Sequence, residues 1–298
     1  MISIITALYN QLELTRAYWE SLLANPPSEP WEIIWIDDCS TDGTREWLKS
    51  IGSDNCRVIL NDHNQGFAAN NNLAAQHARG DILCLLNNDS QLRPNWFEPM
   101  YTALTQRNRI GIVGNVQLQA DTQLVDHAGI WFDLVGLPNH TYQRKTTSCI
   151  KGPGRYYPAV TAACWLIKKE LFINYGGFDL NYRNGYEDVD LCLRLHKEGY
   201  RHWVAYESSI LHHVSSSEGR TRHNCSNIKH FLQRWAAYSS KLGQQQWPTY
   251  YLKRIIKNPQ QLNLSKTIDA SLRALKLRSG DSSWARKKRA ECLSTADQ

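Results

Sequence analysis

The sequence predicts an α/β fold: a mostly parallel, Rossmann-like central sheet flanked by helices, with a helical C-terminal extension. Two observations lead to this prediction. Short apolar runs rich in β-branched residues alternate with helix-compatible segments between residues 3 and 113, which is the pattern of βαβ units. From Gly219 onward the chain is basic and mostly compatible with helix.

Five strands are expected in the first 114 residues, because five apolar runs are each closed by polar or turn-forming residues. The runs cover residues 3–8, 31–36, 57–60, 82–86 and 110–113.

Helices are expected between these strands. Leu14, Tyr18 and Leu22 recur every four residues and mark one face of the first helix. Residues 40–43 offer N-caps for the second helix, and residues 66–78 form the third. Pro94 suits the first turn of the fourth helix, where its missing N–H costs nothing.

The alternation stops after Gly114, and residues 115–157 are expected to form hairpins and loops. The segment 160–167 is apolar again. Glu187 begins a helix that ends near Gly199.

Short strands are expected at residues 202–205 and 210–214. The helical extension is expected to be divided at Pro248 and Pro259, because proline removes a helical hydrogen bond.

Charge is distributed unevenly along the chain. The net charge is +6, but residues 219–298 contain 16 Lys and Arg against 4 Asp and Glu. Residues 1–218 contain 18 against 24 and are therefore acidic. A basic tail on an acidic body suggests an anionic partner such as membrane headgroups, an acidic acceptor or nucleic acid, and a solvated helical tail explains the charge equally well.

Cysteine usage and the first residues indicate a cytoplasmic protein. None of the eight cysteines forms a CxxC pair, and no basic segment precedes the apolar stretch after Met1. No apolar run approaches the roughly 20 residues that span a bilayer.

Four polar groups follow predicted strands or open predicted helices. Asp37 ends the second strand, residues 64–67 precede a helix, Asp89 ends the fourth strand, and Glu187 and Asp188 open a helix. Ligands of open α/β sheets bind beyond the carboxyl ends of the strands. Each group taken alone also fits a plain turn or helix terminus.

Together, in this order, these segments resemble family 2 glycosyltransferases, which are inverting enzymes of the GT-A fold. The resemblance covers residues 3–217 and includes rhamnosyltransferase-like members. It rests on residues 3–10, 37–42, 64–72, 87–89, 161–164, 176–179, 187–191 and 210–215.

The resemblance implies a catalytic or substrate-binding role for each of ten residues. Asp188 is the catalytic base, and Glu187 and Trp165 bind the acceptor. The residues that bind the donor nucleotide-sugar are Ala7, Tyr9, Asp37, Gly66, Asn72, Asn88 and Asp89.

The resemblance also implies a divalent metal, Mn²⁺ or Mg²⁺, held by Asp89 and His212. Asn87 stands where the family's motif has its first Asp, so this site has one carboxylate fewer. His213 is the rival of His212, since neighbours on a strand face opposite sides.

The implied organisation has a nucleotide-sugar half at residues 1–114, an acceptor half at 115–217 and a basic extension at 218–298. The donor is expected to be a UDP- or dTDP-sugar, and the acceptor a glycan, a lipid-linked molecule or a protein of the bacterial cell envelope. Contact of the basic tail with an anionic membrane at its inner face is a further expectation, and nucleic acid is not expected.

Three other functions are alternatives to a glycosyltransferase. A Rossmann oxidoreductase needs a GxGxxG turn after the first strand, and residues 6–10 contain no glycine. A sugar nucleotidyltransferase needs a glycine-rich basic loop at the same place, which is also missing. A non-catalytic protein that binds a nucleotide-sugar, or an anionic polymer through its basic tail, remains open.

Overall fold

The apolar runs of the N-terminal half form strands of one central sheet, and helices pack against it. The computed structural model describes residues 1–52, 54–213 and 223–294. These described residues fall into two compact units, one within 1–129 and 140–220 and the other within 130–139 and 221–298. Across the described ranges, no helix combines the length and apolar character needed to cross a bilayer.

The strands of the chain, in order, are β1 (Ile2–Leu8), β2 (Trp31–Asp37), β3 (Cys56–Leu60), β4 (Ile82–Leu86), β5 (Ser90–Leu92), β6 (Ile110–Gln119), β7 (Val125–His127), β8 (Ile130–Phe132), β9 (Pro138–His140), β10 (Gly154–Tyr157), β11 (Cys164–Lys168) and β12 (Arg201–His212). The helices are α1 (Leu12–Ala24), α2 (Thr44–Ser50), α3 (Phe67–His77), α4 (Glu98–Gln106), α5 (Lys169–Asn174), α6 (Glu187–Lys197), α7 (Asn224–Lys257), α8 (Leu264–Ala274) and α9 (Ser283–Ser294).

The central sheet of the first unit has the strand order β10-β12-β6-β11-β4-β1-β2-β3, with β5 paired to β12 and β7 to β6. Strands β1 to β4 are mutually parallel, and β12 runs parallel to β6. β11 runs antiparallel between β4 and β6. The carboxyl ends of β1, β2, β4 and β12 therefore meet at one edge, as the predicted mostly parallel sheet requires.

Helix α1 covers one face of the sheet with aromatic contacts. Trp35 of β2 is fully buried, and its ring lies 5.6 Å from Tyr18, 5.7 Å from Trp19 and 5.9 Å from Trp47 in edge-to-face geometry. Each such pair contributes about 0.5–1.5 kcal/mol beyond its buried area. This cluster holds β2 rigidly beneath the edge where its polar residues emerge.

The two-stranded sheet of β8 and β9 belongs to the second unit. Phe132 stacks on Phe231 of α7, and the backbone N–H of Phe132 donates to Gln246 Oε1 at 2.9 Å. A Cβ on Gly243 would lie 1.9 Å from the carbonyl oxygen of Asp133, so only glycine permits this approach. The predicted division placed residues 130–139 in the acceptor half, whereas these contacts join them to the C-terminal helices.

Three predicted strands differ from the structure. β6 does not stop at Val113 but continues to Gln119, because Asn115 and Gln117 are buried despite their polarity. The two short strands predicted around residue 207 are one strand, β12, whose pairing with β6 shifts register after Ala205; its predicted last residue, Val214, lies outside the described residues.

Pro259 separates α7 from α8 as predicted, but the other two proline predictions were wrong. Pro94 lies in a turn, since β5 occupies residues 90–92 and α4 begins only at Glu98. Pro248 lies inside the unbroken helix α7, where the packing of Trp247 on Tyr251 outweighs the missing hydrogen bond.

Candidate active site

A cavity of about 320 Å³ opens at the edge of the sheet where β1, β2, β4 and β12 end. Eight of the eleven site residues predicted from the sequence line it, although they come from six separate elements or loops. They are Ala7, Tyr9, Gly66, Asn88, Asp89, Glu187, Asp188 and His212.

Asp89 and His212 lie next to each other at one side of this cavity. The carboxylate oxygen Oδ1 of Asp89 lies 3.2 Å from Nε2 of His212, and the two residues are only 9% and 5% exposed. The backbone sets this distance: β5 begins directly after Asp89 and pairs with β12, which places Ser90 opposite His212. The N–H of His213 also donates to the carbonyl oxygen of Asp89 at 2.9 Å.

This pair fits a divalent cation. Among the described residues, neither ring nitrogen of His212 has a hydrogen-bond partner, although both are buried. Two ligands about 2.1 Å from a six-coordinate ion, at right angles to each other, lie about 3 Å apart. One imidazole nitrogen with one carboxylate oxygen suits Mn²⁺ better than Mg²⁺.

The protein supplies few ligands at this position. The described part of the chain contains no group of three or more His, Cys, Asp or Glu side chains arranged to hold a metal. A cation at Asp89 and His212 therefore needs most of its remaining ligands from a bound substrate or from water.

Asp188 lies in the first turn of α6 and lines the cavity. Its Oδ2 accepts a hydrogen bond from the backbone N–H of Ala162 at 3.1 Å, and its Oδ1 accepts from the N–H of Val189 at 2.7 Å. The positive end of the helix dipole also stabilises a negative charge there. Asp188 is half-buried, so the carboxylate is oriented and still open to the cavity.

The chain reaches this helix through a strained loop. Asn184 and Tyr186 have φ of 53° and 77°, a backbone region that side chains other than glycine seldom adopt. Glu187 is 5% exposed, and its Oε2 accepts from the N–H of Gly185 at 2.7 Å. The carboxylate of Glu187 thus holds the loop that shapes the cavity wall.

Asp38, not Asp37, is the acidic residue at the end of β2 that lines the cavity. Its Oδ1 accepts from the N–H of Gln65 at 2.7 Å, and its Oδ2 accepts from the N–H of Gly66 at 2.9 Å. Gly66 has a φ of 85°, which the loop needs in order to present both N–H groups to one carboxylate.

Asp37, which was expected to bind the donor, does not line the cavity. Successive side chains on a strand point to opposite sides, and Asp37 is fully buried away from the cavity. Its Oδ2 accepts from the N–H of Ser40 at 3.2 Å and lies 3.5 Å from Arg45 Nη1.

Asn72 and Trp165 also lie outside the cavity lining. Asn72 makes two hydrogen bonds of 2.8 Å with the backbone of Phe178, which use its amide on the far side of α3. Trp165 is fully buried in β11 and stacks on Phe178 at 5.7 Å. β11 lies between two other strands, so its large aromatic ring packs in the core instead of facing an acceptor.

Sequence reasoning missed several lining residues. Asn10, Asp38 and Asn70 line the cavity, and each lies within a segment that the motif comparison had singled out. The motif segments therefore indicated the right parts of the chain. Which residue of a segment faces the cavity depends on the face of the strand or helix that it occupies.

His127 does not line the cavity, and nothing in its local sequence marks it. Its Nε2 accepts from the N–H of Gly129 at 3.1 Å, and its ring lies 4.9 Å from that of His140. Burial lowers the pKa of His127 well below its ordinary 6.5, and the neighbouring His140 and His212 lower it further.

Comparison with known proteins identifies relatives of the chain. The model of glycosyl transferase family 2 matches residues 3–176. The O-antigen biosynthesis protein RfbC of Myxococcus xanthus is 31% identical over 257 residues, which cover 84% of this chain and 20% of that protein. The chain thus spans about a fifth of this curated relative.

Two solved structures have a similar fold. The crystal structure of GalNAc-T7 with UDP, GalNAc and Mn²⁺ superimposes with a TM-score of 0.67 at 14% identity, covering 99% of this chain and 57% of the other. The mannosyltransferase PcManGT from Pyrobaculum calidifontis, in complex with GDP-Man and Mn²⁺, gives a TM-score of 0.56 at 16% identity. It covers 98% of this chain and 83% of the other.

Proposed function

Because the chain belongs to glycosyl transferase family 2 and has the GT-A fold, we propose that it transfers a sugar from a nucleotide-diphosphate sugar to an acceptor hydroxyl. One observation supports this most strongly. A single cavity contains the Asp89–His212 pair at one side and the amide-bound carboxylate of Asp188 at the other. These are the two chemical functions that transfer to a hydroxyl requires: stabilisation of the leaving group and removal of a proton.

Asp89 and His212 hold the metal in this proposal, with Mn²⁺ favoured by the imidazole ligand. When bound, the cation neutralises the negative charge that accumulates on the departing diphosphate. Both solved neighbours, by their titles, contain Mn²⁺, which supports the choice of metal.

Asp188 acts as the general base. The acceptor hydroxyl gives its proton to the Asp188 carboxylate while its oxygen attacks the anomeric carbon from the face opposite the diphosphate. The configuration at that carbon inverts, and no covalent sugar–enzyme bond forms. The N–H groups of Ala162 and Val189 each donate to one oxygen of the Asp188 carboxylate and fix its orientation.

The donor lies against the end of β1 and the loop that Asp38 organises. Ala7, Tyr9, Gly66 and Asn88 line this side of the cavity, and Asn88 is held by a hydrogen bond from its Nδ2 to Thr15 Oγ1 at 2.9 Å. We assign the donor to residues 1–114 and the acceptor to residues 115–217. A UDP- or dTDP-sugar with a hexosyl or deoxyhexosyl group is the proposed donor.

The acceptor is proposed to be a growing glycan of the cell envelope, including a lipid-linked one. RfbC, by its name, takes part in O-antigen biosynthesis, and an acceptor of that class would present the hydroxyl that Asp188 deprotonates. Glu187 shapes this side of the cavity through its hydrogen bond to Gly185.

A panel of nucleotide-sugars with Mn²⁺ tests the proposal. Donor binding should raise the melting temperature by mass action, and the nucleoside diphosphate should be released with an acceptor extract. Nuclear magnetic resonance of the product should show the anomeric configuration opposite to that of the donor. A protein that binds a donor but never releases the diphosphate with any acceptor would support the non-catalytic alternative.

A further inference from the structure

Helix α8 in the second unit buries charged side chains and exposes apolar ones. Its buried side carries Ala270 and an ion pair in which Arg273 Nε lies 2.9 Å from Asp269 Oδ1, with side chains only 1% and 3% exposed. Its opposite side exposes Leu264 and Ile268 to 69% and 51%. At 3.6 residues per turn, these two residues and Leu275 form one stripe, and Leu275 is 68% exposed.

The end of α7 and the loops on either side of α8 add three more exposed apolar residues. Ile256, Leu262 and Leu277 are 76%, 54% and 72% exposed. Six of the eleven large apolar side chains exposed in the described residues thus fall between residues 256 and 277. Soluble surfaces seldom gather apolar side chains so densely unless the surface binds something. We call the six residues, 256, 262, 264, 268, 275 and 277, the α8 patch.

Positive charge surrounds the α8 patch without exposed negative charge. Residues 253–280 contain seven Lys and Arg and one carboxylate, Asp269. That carboxylate is buried and bound by Arg273 and also by Arg278 at 3.2 Å. Lys253, Lys257 and Lys276 are exposed. Residues 253–280 therefore combine exposed aliphatic side chains with cations and expose no carboxylate.

We propose that the α8 patch docks on an anionic lipid bilayer, with the leucines and isoleucines entering the headgroup boundary and the lysines contacting lipid phosphates. Apolar side chains between cations are the features by which a helix lies in a membrane interface. A second copy of the chain fits less well, because pairing two such surfaces brings like charges together. This inference rests on the second unit alone and does not depend on the proposed transfer reaction.

Co-sedimentation of the full chain with vesicles tests the proposal. Vesicles with about 30 mol% phosphatidylglycerol should retain the protein better than pure phosphatidylcholine, and about 0.5 M NaCl should weaken retention. The variant Leu264→Gln/Leu275→Gln should lower the partition coefficient roughly tenfold or more, because two aliphatic side chains that enter the bilayer are lost.

A matched control changes two exposed apolar residues of the first unit, Leu23→Gln/Ile173→Gln, which are 54% and 42% exposed in the native chain. This control should bind vesicles like the native protein, and circular dichroism should confirm that both variants are folded. Equal retention of the α8 variant and the control would overturn the proposal. So would a dimer of the native chain that the α8 variant breaks, without any preference for anionic vesicles.

Discussion

Oδ1 of Asp89 lies 3.2 Å from Nε2 of His212, although more than 120 residues separate the two in the sequence. The neighbouring His213 approaches Asp89 only through its backbone N–H. The structure thus separates two adjacent histidines that the sequence left as rivals.

His212→Ala should therefore impair metal use, whereas His213→Ala should not. Loss of a partner of a metal ligand commonly weakens metal affinity about 10- to 100-fold, and loss of a ligand should weaken it at least as much. A Mn²⁺ titration of transferase activity, or of donor-induced thermal stabilisation, measures this. His213→Ala keeps the backbone hydrogen bond to Asp89 and is the matched control. Equal Mn²⁺ requirements in both variants would remove His212 from the metal site.

Asp188→Asn should abolish most of the transfer and leave the donor bound. The amide cannot accept the acceptor's proton, and loss of a general base lowers turnover about 10²- to 10⁴-fold. The Asn side chain keeps one oxygen, so only one of the N–H groups of Ala162 and Val189 retains its acceptor, and circular dichroism should show that the variant is folded. Donor affinity from isothermal titration and turnover from diphosphate release separate the two effects. Near-native turnover would show that another group takes the proton.

Asp38→Asn and Asp37→Asn are neighbouring substitutions with different expected effects. The first should weaken donor binding, and the second should lower stability. Asp38 holds the N–H groups of Gln65 and Gly66 at the cavity wall, and loss of about 1.4 kcal/mol there weakens donor binding about tenfold. Asp37 contacts Ser40 and Arg45 away from the cavity, so its substitution should lower the melting temperature with little change in donor affinity. The reverse result would restore Asp37 as the donor ligand.

The strands that position the site could be predicted from the sequence because they are buried on both faces. Ile33 to Ile36 in β2 and Leu83 to Leu86 in β4 are almost fully buried, and such strands appear as continuous apolar runs. β6 and β12 were harder, since buried polar residues such as Asn115 and Ser208, which share a hydrogen bond of 3.2 Å, resemble the start of a loop.

The candidate site was predictable by segment but less so by residue. Every motif segment except residues 176–179 places a residue in the cavity, yet Asp37, Asn72 and Trp165 face elsewhere. Their neighbours Asp38 and Asn70 line the cavity instead. Which of two adjacent side chains points inward depends on how a strand ends or a helix begins, and tertiary packing decides this. His127 illustrates the limit, because only the fold brings it beside His212.

Stability of the first unit should fall as the pH drops below about 6.5, partly through His202. His202 is fully buried, and burial lowers its pKa from 6.5 to about 3. Its Nε2 lies 2.9 Å from the carbonyl oxygen of Cys192, which requires the neutral ring to donate from this nitrogen. The unfolded chain binds a proton below its pKa of about 6.5, while the folded chain resists protonation until about pH 3. The contribution of His202 to stability is therefore complete above pH 6.5 and is lost progressively toward pH 3.

His202→Gln tests this, because glutamine can donate to the same carbonyl oxygen but does not titrate. The unfolding free energy from urea denaturation, followed by tryptophan fluorescence, should fall less steeply with pH in the variant than in the native protein. Between about pH 6 and pH 4 the difference in slope should approach 1.4 kcal/mol per pH unit, the value for one proton. Exposed His77, replaced in the same way, serves as the control and should leave the slope unchanged. Parallel curves for the native protein and His202→Gln would mean that His202 is not held neutral in the folded state.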